Sequence, residues 1–133
     1  MAADHAWAVP GCTAVRELGD GASGRVVLAT DDRTGAPVAI KYLAPRLLDD
    51  PGFADGFRED ARALTAIRDP NTVRVYDYVA DPRGAAIVME AVDGVSLRRV
   101  LDTGQVLGPE VALAVLKATL LGLGAAHAAG VLH

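Results

Sequence analysis

Leu18-Gly19-Asp20-Gly21-Ala22-Ser23-Gly24-Arg25-Val26-Val27-Leu28-Ala29-Thr30, followed after a turn by Val38-Ala39-Ile40-Lys41, is the stretch that decides the fold. Its glycines fall as G-x-G-x-x-G-x-V. Without a Cβ, such a loop lets backbone N–H groups come close to phosphates. The same letters open a dinucleotide-binding fold, but there a helix must start at the third glycine and carry the pyrophosphate on its N-terminus. Here Arg25 to Thr30 is β-branched and short, which reads as a strand. No G-K-[ST] follows, so a Walker-type loop is excluded as well.

Asp31-Asp32-Arg33-Thr34-Gly35-Ala36-Pro37 is turn chemistry, with Pro37 acceptable as the first residue of the next strand. In that strand Ala39 and Lys41 share one face, and Val38 and Ile40 share the other. A small residue beside a lysine under a glycine flap suits an adenine ring and its phosphates. Lys41 and Lys117 are the only lysines in a chain that otherwise uses arginine, so a compact ammonium is kept at this position. The plainer alternative is a hairpin carrying a surface lysine.

The chain of 133 residues has room for one domain with a core. Its hydrophobic fraction of 51% and charged fraction of 23% mark a globular rather than a disordered sequence. A formal net charge of −4, with acids and arginines interspersed, gives no footprint for nucleic acid. Cys12 is the only cysteine, which excludes an intrachain disulfide and fits a reducing, cytoplasmic location. His5, His127 and His133 lack metal-ligand spacing, and the first residues do not form a signal peptide.

In chain order, residues 1–12 read as a lead-in, with Trp7 packing on the first sheet. Thr13 to Leu18 reads as the first strand. Asp49-Asp50-Pro51 is a helix start, an Asp cap with Pro just inside. The helix expected from Phe53 to Ile67 buries Phe57, Leu64 and Ile67 at helical spacing. Asp60 lies on that face and Glu59 about 100° away. A carboxylate there needs a cation, for which Lys41 is the candidate, with a nearby arginine or a solvated face as the alternative. Thr72 to Val79 and Ala85 to Glu90 read as the fourth and fifth strands, with Asp81 to Gly84 as their turn. Ser96 can cap a short helix through Leu101. Gly108-Pro109-Glu110 starts a last helix that Gly130 stops near Ala129. From Val111 to Leu132 only Lys117, Thr119 and His127 are polar, so the helix is long enough to span a membrane. Lys117 inside the run, with the diluting alanines and glycines, favours a buried core helix and no membrane span.

With these motifs in this order, the sequence resembles the N-terminal half of a bacterial Ser/Thr protein kinase of the eukaryotic-like type, over about Thr13 to His133. The resemblance implies an α+β fold: an N-lobe at 13–90 with a five-stranded antiparallel sheet and one regulatory helix, a hinge at 91–95, and the start of the C-lobe at 96–133. It implies ATP and Mg²⁺ as cofactors. Gly19, Gly21 and Gly24 would cover the phosphates, and Lys41 would bind them. Leu18, Val26 and Ala39 would roof the adenine, and Met89 would be the gatekeeper. Glu90 and Val92 would offer backbone groups to the adenine edge, Ser96 would contact the ribose, and His133 would be the histidine of H-R-D.

Two departures accompany the resemblance. Phe57-Arg58-Glu59-Asp60-Ala61 is similar to the family's F-R-R-E-A, which puts Asp60, one methylene short, where a glutamate pairs with the lysine; Asp69 also stands where a histidine commonly precedes Pro70-Asn71. The sequence given ends at His133, before the catalytic aspartate, the asparagine and the D-F-G aspartate of the family, so it is not expected to catalyse phosphoryl transfer alone. A non-catalytic regulatory or interaction module, with self-association through 109–129, is the competing expectation; the protein substrate is not given by the sequence.

Overall fold

Alternating β-branched residues and tight turns build the first part of the chain around one sheet, seen in a computed structural model that describes residues 7–132. Strands β1 (Cys12–Gly21), β2 (Gly24–Asp31) and β3 (Pro37–Leu43) follow as antiparallel hairpins. The helices α1 (Pro45–Leu48) and α2 (Pro51–Thr65) then carry the chain to β4 (Val75–Asp81), at the sheet edge, and β5 (Gly84–Glu90) turns back inside it. The strand order is β1-β2-β3-β5-β4, antiparallel throughout, so the expected five-stranded α+β architecture holds. Helices α3 (Leu97–Asp102) and α4 (Pro109–Ala128) follow.

Period 2 divides the sheet into two faces. On one, Val75 and Ile87 gather Phe57, Ala61 and Leu64 of α2. On the other, Ala29, Val38, Ile40, Ala86 and Val88 are covered by Val9 and Trp7. Trp7 packs edge-on to Tyr42 with ring centroids 5.9 Å apart, and Val9 N–H donates to the Tyr42 hydroxyl at 3.1 Å. Gly84 makes this cover possible, because a Cβ there would lie 2.4 Å from the indole.

Asp50 caps α2 as its sequence suggests, accepting from Gly52 N–H at 3.0 Å and Phe53 N–H at 3.2 Å. The helix stops at Thr65, short of the expected Ile67, and the next strand starts at Val75 rather than Thr72. The late strand start comes from the turn at Asp69, whose carboxylate accepts from Asn71 N–H at 2.8 Å while its carbonyl accepts from Thr72. Arg74 closes the corner by donating to the Thr65 carbonyl at 2.8 Å and to that of Ile67. Arg74→Ala strands these half-buried carbonyls and is expected to cost about 2 kcal/mol, read as a lowered urea midpoint with unchanged slope.

Helix α4 departs most from the sequence reading. Of its residues only Gly122 is fully buried, and it meets the Asn71 carbonyl so closely that a Cβ would lie 2.5 Å away. Val115, Ala118, Leu123, Ala125 and Ala126 are half-buried on the Gly122 side. Leu113, Leu116 and Leu120 are 65%, 52% and 58% exposed. The expected helix packed on all sides is therefore corrected: among the described residues there is enough surface to cover one stripe of α4 and no more.

Candidate nucleotide-binding site

The glycine stretch is less a loop than the end of a hairpin. β1 runs through Gly19 and Gly21, β2 begins at Gly24, and only Ala22 and Ser23 turn. Gly24 is dictated by the fold: its φ is +147° and a Cβ would lie 1.8 Å from the Tyr42 carbonyl oxygen. Gly19 and Gly21 are not. Neither has a positive φ; a Cβ at Gly19 meets nothing within 4 Å, and one at Gly21 meets only the Gly24 carbonyl at 3.9 Å. Glycine in a strand weakens it, and one that the fold does not require points to a close approach from outside.

Behind the hairpin the register aligns the other residues. Val26 is opposite Lys41, which is opposite Ile87; Leu28 is opposite Ala39, which is opposite Met89. Cross-strand partners share a face, so Val26, Ala39, Lys41 and Met89 lie on one side of the sheet, the side that α2 covers farther along. Ala39 is buried and Lys41 half-buried. Leu18, 45% exposed, sits at the irregularity between Glu17 and Gly19, a bulge that re-aims a side chain at the strand edge. Met89 packs against Ala61, Val75 and Ile87 at the inner end.

Ala91 to Val95 connects β5 to α3 without regular structure. Glu90 N–H donates to the Arg74 carbonyl at 2.8 Å, so that N–H is already taken. Val92 is 65% exposed, and its N–H and C=O enter no backbone hydrogen bond among the described residues. Ser96 caps α3, its hydroxyl oxygen accepting from Arg99 N–H at 3.1 Å while its own proton stays available. His133 lies outside the described residues.

The Lys41–Asp60 pair does not form. Asp60 and Glu59 are both exposed, and no ion pair among the described residues includes Lys41. Ala61, fully buried, occupies the centre of the helix face, and α2 leans on β4 rather than β3. An alanine lets the helix approach the sheet closely, and the carboxylate one position earlier rotates by about 100° into water, where it escapes the cost of desolvation. Asp60→Ala is therefore expected to change stability by less than about 0.5 kcal/mol in a thermal melt.

Two grooves lie away from this face. One, of about 660 Å³, runs between Cys12, Arg33, Tyr76 and Val88; the other, of about 570 Å³, between Trp7, Arg25, Leu48 and Arg83. Neither is lined by Ala39 or Lys41. Partial burial, with Asp31 and Asp32 nearby, pushes the Cys12 thiol up, so it is not a ready nucleophile.

Residues 12–133 match the model of the protein kinase domain. The chain belongs to the protein kinase family. It is 41% identical over 121 residues to the serine/threonine-protein kinase PkaB of Streptomyces coelicolor, covering 91% of this chain and 28% of that one. It is 36% identical over 117 residues to the serine/threonine-protein kinase PknL of Mycobacterium tuberculosis, covering 88% of this chain and 29% of the relative. The crystal structure of the PknI kinase domain from Mycobacterium tuberculosis superposes on it with a TM-score of 0.84 at 28% identity, over 100% of this chain and 55% of that one. The chain thus spans under a third of these curated relatives and about half of a solved kinase domain. Family membership confirms the expected kinase N-lobe sheet and the bacterial Ser/Thr kinase resemblance. Trp7 packs on the sheet as its place before the first strand suggested, whereas Arg74 and Asp69, which fix the frame around the site, were not read as structural residues and carried no local signal for that role.

Proposed function

We propose that this chain forms the ATP-binding part of a Ser/Thr protein kinase, which transfers the γ-phosphoryl group of ATP to a protein hydroxyl. The observation that carries the reading is Lys41 beside Ala39 on one sheet face, behind a hairpin whose Gly19 and Gly21 the fold does not need. In this reading Leu18, Val26 and Ala39 cover the adenine and exclude water from it. Met89 bounds the pocket, the Glu90 carbonyl and the Val92 backbone read the adenine edge, and Ser96 donates its proton toward the ribose. Lys41 holds the phosphates as a point charge. ATP brings the transferable phosphoryl group, with Mg²⁺ as its counter-ion. The proposed division is 13–90 for the N-lobe, 91–95 for the hinge and 96–133 for the C-lobe start.

A cytoplasmic location is proposed on the single cysteine alone. Helix α4 is long and apolar enough to cross a membrane by length and composition, with a mean hydropathy of 1.6. We read it as a helix of the kinase domain, because the match to the PknI structure runs over the whole chain. Its exposed leucines favour an interface, which is the second reading retained here.

Photolabelling with an azido analogue of ATP tests the site. Label is expected in peptides containing Val26 and Ala39, and is expected to be displaced by unlabelled ATP. Displaceable label confined to Cys12, Tyr76 or Arg83 would move the site to the opposite grooves and overturn the reading.

A further inference from the structure

The chain just after Lys41 holds the tip of the glycine hairpin. Ala44 N–H donates to the Ser23 carbonyl at 2.9 Å, and the Arg46 guanidinium donates to the Ala22 carbonyl. Tyr42, two residues before Ala44, presses its carbonyl against Gly24, and the Arg25 guanidinium lies 4.8 Å from the centre of its ring. Alternate residues 42, 44 and 46 therefore grip the hairpin, and Arg46 alone reaches the turn with a side chain.

The tethers take carbonyls and spare donors. Neither Ala22 N–H nor Ser23 N–H enters a hydrogen bond among the described residues. A turn between Gly21 and Gly24 is loose by composition, since glycine leaves the most backbone freedom to be lost on ordering. Each peptide unit is planar, so fixing the Ala22 carbonyl sets the direction of the unpaired Ser23 N–H, and fixing the Ser23 carbonyl sets that of the Gly24 N–H, which orders donors at the turn as an anion-binding nest requires. Arg46 is exposed, so its guanidinium also keeps a positive charge at the tip.

We propose that Arg46 is a positioning residue for the triphosphate: it ties down the Ala22 carbonyl, leaves the turn N–H groups ordered and unpaired, and so raises affinity for phosphate but not for the nucleoside. This rests on the ATP-binding reading. The substitution Arg46→Ala removes an exposed side chain, leaving the core untouched.

Titrations of the 133-residue chain followed by amide NMR test it, with ATP and adenosine as the two probes. For Arg46→Ala the ATP dissociation constant is expected to rise about five- to tenfold, with adenosine changed less than about twofold. Arg46→Lys, which keeps a charged donor of similar reach, is expected to recover most of the ATP affinity. Ala22 and Ser23 amide signals in the ligand-free Arg46→Ala chain are expected to shift or broaden. Unchanged ATP binding in Arg46→Ala, or equal losses for ATP and adenosine, overturns the inference. If Lys41→Met loses ATP while Arg46→Ala does not, only the role of Arg46 falls; if neither loses it, the ATP site itself falls.

Discussion

Mg-ATP at ten times its dissociation constant is expected to raise the unfolding temperature of the wild-type chain by roughly 5 °C and that of Lys41→Met by about 1.5 °C or less. The size follows from linkage: a tenfold excess of ligand over its dissociation constant stabilises by about 1.4 kcal/mol, and a chain of this length converts that into a few degrees. A hydrogen bond to a charged group contributes about 1.5–3 kcal/mol, so losing the ammonium lowers affinity on the order of ten- to hundredfold and the shift falls to about 1.5 °C or less at the same ATP concentration. The fold should survive the substitution. Lys41 is half-buried between Val26 and Ile87 on the sheet and is in no ion pair, so an unbranched apolar side chain of similar length leaves no buried charge behind. Equal responses of wild type and Lys41→Met to Mg-ATP would remove the lysine from the phosphate site and with it the proposed chemistry.

What made Lys41 legible was local: period 2 fixes its face, and spacing fixes its distance from the glycines. The Asp50 cap was legible for the same reason, since Asp followed by Pro acts within one turn of chain. The facing of α2 was not. Phe57 and Leu64 define a stripe that Asp60 and Ala61 flank from two sides, and the sequence does not say which of them turns inward. Packing decides, because Ala61 can sit against Val75 and Ile87 with its methyl alone. Long-range events were equally hidden. Trp7 needs the missing Cβ of Gly84, far along the chain, and β4 starts late only because Asp69 and Arg74 use the preceding residues for a turn and a cap.

Helix α4 shows the same limit in its largest form, and it carries the second large effect: the 133-residue chain is expected to self-associate through it. An apolar composition all round the axis says that the helix wants cover, not what covers it. The described residues cover the Gly122 side through the Asn71 turn. Leu113, Leu116 and Leu120 recur at i, i+3 and i+7, a single stripe left more than half exposed. Pairing two such stripes buries six leucines; at about 1 kcal/mol for each half-exposed side chain the gain is roughly 6 kcal/mol. Association itself costs on the order of 4–15 kcal/mol, so the contact should be weak and concentration-dependent rather than a tight dimer. Light scattering over a concentration series is expected to show mass rising above that of the monomer. Leu113→Glu with Leu120→Glu should hold the chain monomeric, and so should a chain cut near Asp102. Both substitutions lie off the stripe that meets Asn71, so the sheet and its nucleotide response should persist. A wild-type chain that stays monomeric at every concentration would mean that the leucine stripe drives no contact between copies, and that its cover must be sought in other parts of a kinase domain.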